Sequence, residues 1–249
     1  MVELEFLGTG AAGGTPGRGR SRRRESSLVV RDGERTILVD ATRDFAAQSA
    51  RLAAIDAVLL THAHRDAAGG IGALDRFAAR AGAPIRVLAS RRTLAVVATR
   101  HRRLPHLRFD AVAPGEARRI GRFVVVAAEV PHATDPRFDT FAWRLSARGL
   151  RLVYASDVAH LEARLERFCA GVDLLVIDGA MWRATMPWHL TIDRALPTLC
   201  RWRVARILVT QIGRSAPPHA RLQRNIVQLC PRAAPAFDGL RVRLGPTVA

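Results

Sequence analysis

The sequence predicts an αββα sandwich, a layered α/β fold in which two β-sheets lie face to face and helices cover their outer surfaces. Apolar runs of strand length, such as residues 57–60 and 123–126, recur along the chain. Segments with helical spacing of apolar residues, such as 71–81, lie between them. With 249 residues, 49% of them hydrophobic, the chain can bury a large core. Since no repeat or linker-like segment is visible, we expect one domain over residues 1–249.

The elements of the N-terminal half follow from local patterns. An alternating strand at residues 2–7 leads into a glycine-rich loop at residues 8–14. This loop matches GxGxxG, but Pro16 follows where a dinucleotide-binding helix would begin, so we do not predict a Rossmann site. The other elements predicted here are a hairpin of strands 27–30 and 36–40, strands 57–60 and 85–88, and helices 44–52, 71–81 and 91–101.

The C-terminal half repeats the alternation of buried strands and amphipathic helices. Its predicted strands are 123–126, 138–145, 150–154, 173–178, 205–210 and 240–244, and its predicted helices are 158–168, 192–202 and 223–229.

The basic residues limit the classes of partner. The net charge is +17, and all 39 basic residues are arginine. The guanidinium group binds phosphate through a planar fork, so a small phosphorylated substrate, a nucleotide or nucleic acid would suit this charge. A solvated basic surface explains the charge equally well. Aromatic residues make up only 6% of the chain, which argues against stacking on single-stranded nucleic acid.

The remaining composition indicates a protein of a reducing compartment. Cys169, Cys200 and Cys230 form no CxxC pair, which argues against disulfides or a cysteine zinc site. No apolar run approaches the roughly 20 residues of a membrane span, and no signal peptide is visible. We therefore expect a cytoplasmic protein with no membrane association, and the sequence leaves a homodimer open.

A histidine-rich stretch follows the predicted strand 57–60. His62, His64 and Asp66 are spaced so that two imidazoles and one carboxylate can converge on a metal ion from a tight loop. This ligand set suits zinc, manganese or iron.

Three other polar residues have a similar position in the chain. His132 and Asp157 follow apolar strands, and His189 lies in a connecting loop before a helix. Polar residues at several strand ends are what a site at one rim of a sheet requires.

These motifs resemble the metallo-β-lactamase fold superfamily of metallohydrolases. The motifs that carry the resemblance occur in family order and span nearly the whole chain: Gly8-Thr9-Gly10, Thr61-His62-Ala63-His64-Arg65-Asp66, Val130-Pro131-His132, Ser156-Asp157 and Gly213. The stretch Trp188-His189-Leu190-Thr191 is similar to the Gly-His-x-Thr element of the phosphoribosyl cyclic phosphodiesterase branch.

The resemblance implies a divalent zinc or manganese ion at one edge of the sandwich. It assigns His62, His64 and His132 to a first metal, Asp157 to a bridging position and Asp66 to a second metal. His189 would act at the scissile phosphate as a proton donor or phosphate-binding group, so His189 and Asp66 are the expected catalytic residues. The implied activity is hydrolysis of a phosphodiester in a small phosphorylated or cyclic phosphate substrate.

Two departures from the family pattern concern the second metal. Ala67 and Gln211 stand where the family has histidine ligands. We therefore expect about one ion per chain. The rival interpretation is a weakly catalytic or non-catalytic ligand-binding member, similar to relatives linked to pyrroloquinoline quinone synthesis. A nuclease of the same fold is less favoured, because the only candidate for an RNA-binding arm is the short basic stretch 18–24.

A third departure concerns a structural zinc that this branch often carries. Its cysteine ligands are missing from the loop after the first strand, so we expect no structural zinc here. His219 could in principle replace a lost ligand, but we interpret it as a surface histidine at a helix N-terminus. Asp178, which precedes Gly179, is interpreted as a turn residue.

Overall fold

The computed structural model describes residues 1–132 and 138–245, and within them the predicted αββα sandwich is confirmed. The first sheet contains β1 (Val2–Gly8), β2 (Ser27–Arg31), β3 (Thr36–Val39), β4 (Ala57–Leu59), β5 (Ile85–Ala89), β6 (Leu107–Ala111) and β14 (Arg241–Leu244). The second contains β7 (Ala117–Ile120), β8 (Phe123–Glu129), β9 (Phe141–Ala147), β10 (Leu150–Ala155), β11 (Val172–Asp178), β12 (Val204–Thr210) and β13 (Ala233–Pro235).

Both sheets combine antiparallel and parallel pairs. The strand order is β14-β1-β2-β3-β4-β5-β6 in the first sheet and β13-β12-β11-β10-β9-β8-β7 in the second. Strands β3 to β6 are parallel to one another, as are β10 to β13. The carboxyl ends of parallel strands share one edge of a sheet, where sites of layered α/β proteins form.

The helices lie outside the two sheets. They are α1 (Phe45–Gln48), α2 (Arg65–Ala68), α3 (Ile71–Ala81), α4 (Arg91–Arg100), α5 (Ala163–Cys169), α6 (Ile192–Leu199) and α7 (His219–Leu229), with 3₁₀ turns at Gly19–Ser21 and Ser49–Arg51. Their ends follow local rules: the Ser90 hydroxyl caps α4 by accepting from the Thr93 amide at 2.9 Å, and Gly82 ends α3 in the left-handed conformation. No helix of the described segments is long and apolar enough to cross a bilayer.

Apolar side chains fill three layers. The central layer lies between the sheets and includes Phe6 of the first sheet and Trp143 of the second. One outer layer joins the first sheet to α1, α3 and α4, and the other joins the second sheet to α5, α6 and α7. This arrangement is the reason that the central strands read as continuous apolar runs, because both of their faces are covered.

Several predicted bounds are wrong. Helix 158–168 begins only at Ala163, and the Val158 amide donates to the Asp178 carboxylate at 3.0 Å. The predicted strand 138–145 begins at Phe141, and helix 44–52 is a single α-turn followed by the 3₁₀ turn. Helix α7 begins four residues before the predicted 223. The strands missed are β6, β7 and β13, which are short and lie at the sheet ends, where exposure or proline weakens the pattern.

Candidate metal centre

The strand ends that the topology brings together carry the candidate site. His62 and His64 follow β4, His132 follows β8 and Asp157 follows β10. The ring centroids of His62 lie 4.7 Å from His64 and 5.1 Å from His132, and those of His64 and His132 are 5.4 Å apart. One ligand atom from each of the three histidines lies within 4.8 Å of the other two. The structure thus assembles the predicted histidines into one cluster.

The two predicted carboxylates belong to the same cluster. Asp157 and Asp66 each offer an oxygen within 4.8 Å of a His62 ring nitrogen and of each other, and Asp157 also groups with His132 and His189. Asp157 Oδ1 lies 3.8 Å from His132 Nε2, and Asp66 Oδ1 lies 3.9 Å from His62 Nε2. All six residues predicted for the site therefore lie together at one edge of the sandwich.

A buried chain of hydrogen bonds orients His62. The Thr61 hydroxyl donates to the Asp40 carboxylate at 3.0 Å, and it lies 2.9 Å from His62 Nδ1. Since the hydroxyl hydrogen is used on Asp40, Nδ1 carries a hydrogen and donates to the Thr61 oxygen. Burial lowers the pKa of His62 to about 3, so the ring is neutral and its lone pair is on Nε2.

The second ring nitrogen of His62 tests whether this site suits a metal ion. Within the described residues, His62 Nε2 is buried and has no hydrogen-bond partner. A buried polar atom without a partner is costly, and a lone pair without a donor is satisfied by a cation. The residues present therefore fit a bound divalent metal.

His132 is oriented in the same way by a backbone group. Its Nδ1–H donates to the carbonyl oxygen of Trp188 at 2.7 Å, which leaves Nε2 toward Asp157. Orientation of a ligand histidine through its other nitrogen is a general feature of metal sites.

Gln211 joins the two carboxylates. Its Nε2 lies 2.9 Å from Asp157 Oδ1 and 3.1 Å from Asp66 Oδ2, and it donates one hydrogen to each. Its backbone is in the left-handed region with φ 56°, uncommon for a residue other than glycine, and its amide donates to the Ser26 hydroxyl at 2.9 Å. Burial and the charge of Asp157 raise the pKa of Asp66 to about 6.

His189 is held by Asp178. Its Nδ1–H donates to Asp178 Oδ2 at 2.8 Å, and its ring centroid lies 4.9 Å from that of His132. Burial disfavours the charged imidazole, but the charge and hydrogen bond of Asp178 outweigh it and raise the pKa of His189 to about 9. Asp178 is fully buried, and it also accepts from the amides of Val158 and Ala180. Asp178 is a turn residue as interpreted, since it accepts from the Ala180 amide two residues on, but the interpretation missed its contact with His189.

Sequence reasoning missed three orienting residues: Asp40, Thr61 and Asp178. Each carried a usable signal, because Asp40 and Asp178 end apolar strands as Asp157 does, and Thr61 precedes the histidine motif. His219 is the first residue of α7 as expected for a helix N-terminus, but it is only 7% exposed and so is not a surface residue.

An apolar rim borders the histidines. The Phe138 ring lies 4.6 Å from that of His64. Trp188, whose carbonyl holds His132, is 40% exposed, and Met186 of the same loop is 37% exposed. Trp188 and Met186 thus place exposed apolar surface beside His132 and His189.

The chain belongs to the beta-lactamase superfamily. The family model described as "Beta-lactamase superfamily domain" matches residues 35–212. This span contains every residue of the cluster described above, and the resemblance predicted from the sequence motifs is confirmed.

Solved structures confirm the metallo-β-lactamase fold, including relatives of the branch predicted from sequence. A diphosphatase from the PhnP family superimposes with a TM-score of 0.87 at 22% identity over 98% of each chain. Zn²⁺-bound PqqB from Methylobacterium extorquens gives 0.83 at 22% identity, over 97% of this chain and all of that one. The short form of human tRNase Z gives 0.74 at 20% identity, over 98% of this chain and 99% of that one. At these identities the likeness establishes the fold.

A curated relative is longer than this chain. The protein named octanoyltransferase from Porphyromonas gingivalis is 26% identical over 267 aligned residues, which cover 94% of this chain. The chain spans about half the length of that relative, 50%.

Proposed function

We propose that the protein is a phosphodiesterase that depends on one divalent metal ion per chain. The observation that carries the proposal is the buried Nε2 of His62, which has no partner in the described residues and groups with nitrogens of His64 and His132. Neutral imidazoles whose other nitrogen is already hydrogen-bonded are the usual ligands of zinc and manganese.

The ligands would be His62, His64, His132 and Asp157. Three imidazoles and one carboxylate satisfy zinc and are also compatible with manganese. When bound, the ion supplies Lewis-acid chemistry, since it lowers the pKa of a water molecule and offsets negative charge on phosphate oxygens. Zn²⁺-bound PqqB, which shares the fold, supports zinc as the first metal to test.

Asp66 and His189 would act on the reacting groups. The Gln211 amide donates to Asp66 Oδ2, so Oδ1 remains free to accept a hydrogen from the attacking water. Asp178 occupies Nδ1 of His189 and leaves Nε2 to donate to a phosphate oxygen and to pass a proton to the departing oxygen. The two residues thus serve opposite sides of the reaction, one accepting and one donating.

The amide of Gln211 would replace a second ion. A second metal ion needs ligand atoms with free lone pairs. Asp66 and Asp157 are instead bridged by the two hydrogens of one amide nitrogen, and Ala67 offers no ligand in place of the family histidine. We therefore expect one metal ion per chain.

A small phosphorylated molecule is the substrate class that the site favours. The fold is shared with proteins named as a diphosphatase and a tRNase, whose names place a phosphate linkage at the site of action. The exposed Trp188 and Met186 offer an apolar surface for the organic part of a substrate. RNA is less favoured, because the basic stretch 18–24 contains only a short 3₁₀ turn and no extended arm within the described segments.

A specific observation favours a second candidate, a ligand-binding protein with little or no catalysis. Gln211 bridges the two carboxylates through the hydrogen bonds of its amide, and a site modified in this way can retain a metal and bind a ligand without turnover. Zn²⁺-bound PqqB, whose name does not specify a phosphate linkage, has the same fold.

The test is hydrolysis of bis(p-nitrophenyl) phosphate by the protein loaded with zinc or manganese, before and after removal of metal by a chelator. We expect metal-dependent hydrolysis that falls by two or more orders of magnitude in His189→Ala, about the contribution of a general acid. His160→Ala is the matched control, since His160 is exposed and its ring contacts Glu162 rather than a residue of the cluster. Metal binding without hydrolysis would contradict the proposal and favour the ligand-binding candidate.

A further inference from the structure

A cavity lies beside the candidate metal centre, and none of the candidate ligands lines it. It has a volume of about 470 Å³, which is within the range of small-molecule sites. The basic stretch after β1 forms one wall, and the segment between β12 and α7 forms the other. Ile212, the residue that follows Gln211, is one of its lining residues.

The charged side chains of this cavity are all cationic. Arg18, Arg23 and Arg214 line it, and no aspartate or glutamate does. Within the described residues, none of these three arginines lies within 4.0 Å of a carboxylate, whereas Arg43 and Arg86 each pair with one. Arg18 and Arg214 are exposed, so their guanidinium groups can move onto a ligand.

Arg23 is a buried cation in the lining of this cavity. It is 4% exposed, and its guanidinium donates to the Thr9 hydroxyl at 2.7 Å, to the Ala236 carbonyl at 2.5 Å and to His219 Nδ1 at 3.1 Å. Asp238, which accepts from the same Thr9 hydroxyl, offsets part of the charge of Arg23 but forms no ion pair with it, so the remaining charge contributes to the potential in the cavity.

Arg23 also determines the tautomer of His219. A guanidinium only donates, so His219 Nδ1 accepts and the ring hydrogen is on Nε2. Burial, followed by the charges of Arg23 and Arg20, lowers the pKa of His219 to about 4, which keeps the ring neutral. Nε2–H has no acceptor among the described residues, and His219 lines the cavity. The polar side of the cavity therefore offers hydrogen-bond donors.

Much of the remaining lining is apolar: Pro16, Ile212, Ala216, Pro217 and Pro218. Pro217 and Pro218 lie in the segment that forms the wall opposite the basic stretch, and we call them the proline wall. Guanidinium and imidazole donors together with flat aliphatic rings match a molecule that has an anionic head and an organic ring. A bare inorganic anion would leave the apolar lining unused.

We propose that this cavity binds a small organic phosphate, whose phosphate contacts Arg18, Arg214 and His219 and whose ring lies against the proline wall. Arginine is the side chain best matched to phosphate, because its fork makes two parallel hydrogen bonds. The binding needs no metal, so the inference goes beyond the proposed hydrolysis and does not rest on it.

The experiment is calorimetric titration of the metal-stripped full-length protein with AMP and with inorganic phosphate at about 0.15 M salt, which screens diffuse attraction. We expect saturable AMP binding that weakens at least tenfold in Arg18→Ala and in Arg214→Ala. Arg206→Ala is the charge-matched control, since Arg206 is exposed on β12 outside the cavity, and it should bind as the unmodified protein does. His62→Ala should also leave AMP binding unchanged, which separates this cavity from the metal centre.

Three results would overturn the proposal. One is the absence of saturable AMP binding, and the second is equal weakening in Arg206→Ala, which would indicate general attraction to a basic surface. The third is binding of inorganic phosphate as tight as AMP, since the proline wall would then contribute nothing. Thermal unfolding of each variant verifies that it is folded, and Arg214→Lys, which keeps the charge but loses the fork, should bind between the two extremes.

Discussion

Two consecutive residues, Gln211 and Ile212, separate two regions of opposite character. Gln211 faces a cluster rich in acceptors, with three imidazoles and two carboxylates. Ile212 lines a cavity whose charged groups are all guanidinium. The first region has lone pairs that need a cation, and the second has N–H groups that need an anion. The comparison shows that one strand end separates a cluster of hydrogen-bond acceptors from a cavity lined by hydrogen-bond donors.

The orientation of the histidines in these regions follows the same contrast. Thr61 and a backbone carbonyl accept from His62 and His132, so a lone pair is left on the outer nitrogen. Arg23 donates to His219, so a hydrogen is left on the outer nitrogen instead. The partner on the inner nitrogen thus decides whether an imidazole offers a lone pair or a hydrogen.

The largest effect should come from breaking the orientation of His189. In Asp178→Asn the partner of Nδ1 loses its charge, and we expect kcat to fall about 100-fold because the proton donor is misplaced. Metal content should stay as in the unmodified protein, since Asp178 is not in the ligand set. Parallel loss of metal and activity would indicate that Asp178 supports the whole centre and would contradict this role.

A smaller effect is expected from the hydrogen bond behind His62. Thr61→Val removes the hydroxyl between Asp40 and His62 at almost constant volume. We expect metal affinity to fall about 10-fold, at the low end of the range for groups that orient a metal ligand. Competition with a chromogenic chelator measures this change, and Thr99→Val, at an exposed position on α4, is the matched control. Equal affinities for Thr61→Val and the control would show that the hydrogen bond is unimportant.

Histidine at positions 67 and 211 would replace the Gln211 bridge with the ligands of the family pattern. Ala67→His combined with Gln211→His should raise the metal content from about one to about two ions per chain, because it replaces a donor with two acceptors. Elemental analysis gives the stoichiometry, and the single Gln211→Ala should stay at one. If the ions double but phosphodiester hydrolysis does not rise, then the loss of the second metal is not what limits activity.

The smallest effect concerns the pH dependence of stability at the second region. The pKa of His219 is about 4 in the folded chain and 6.5 as its ordinary value. The unfolded chain therefore binds a proton that the folded chain resists, so His219 destabilises the fold as pH falls from 6.5 to 4. In His219→Asn, the free energy of unfolding should decline less steeply as the pH falls through this window. The change in slope should correspond to at most about one bound proton. Urea denaturation at several pH values measures the slopes, and identical slopes would contradict the assigned environment.

The sequence motifs predicted the candidate ligands better than the residues that orient them. His62, His64 and His132 were found because an imidazole pattern at strand ends is rare and has few structural uses. Asp178 was missed because a carboxylate before glycine is common in turns, and its burial depends on the loop that returns at His189. The contact of Gln211 with two carboxylates joins residues 145 and 54 positions apart, which no local pattern reports.

The same distinction holds for the fold. The central strands and α3 were predicted because they are covered on both faces or have a strong apolar stripe. The short edge strands β6, β7 and β13 were missed, since their pairing comes from neighbours that are distant in sequence. The arginine-lined cavity was also beyond the sequence, because it forms between the loop after β1 and a segment almost 200 residues later.

The most direct test of the central claim is the metal content of the protein purified without chelator, measured by elemental analysis beside His62→Ala and His160→Ala. We expect about one zinc or manganese ion per chain in the unmodified protein and in His160→Ala, and none in His62→Ala. No metal in any of the three proteins, or an equal amount in all of them, would contradict a metal centre built on His62.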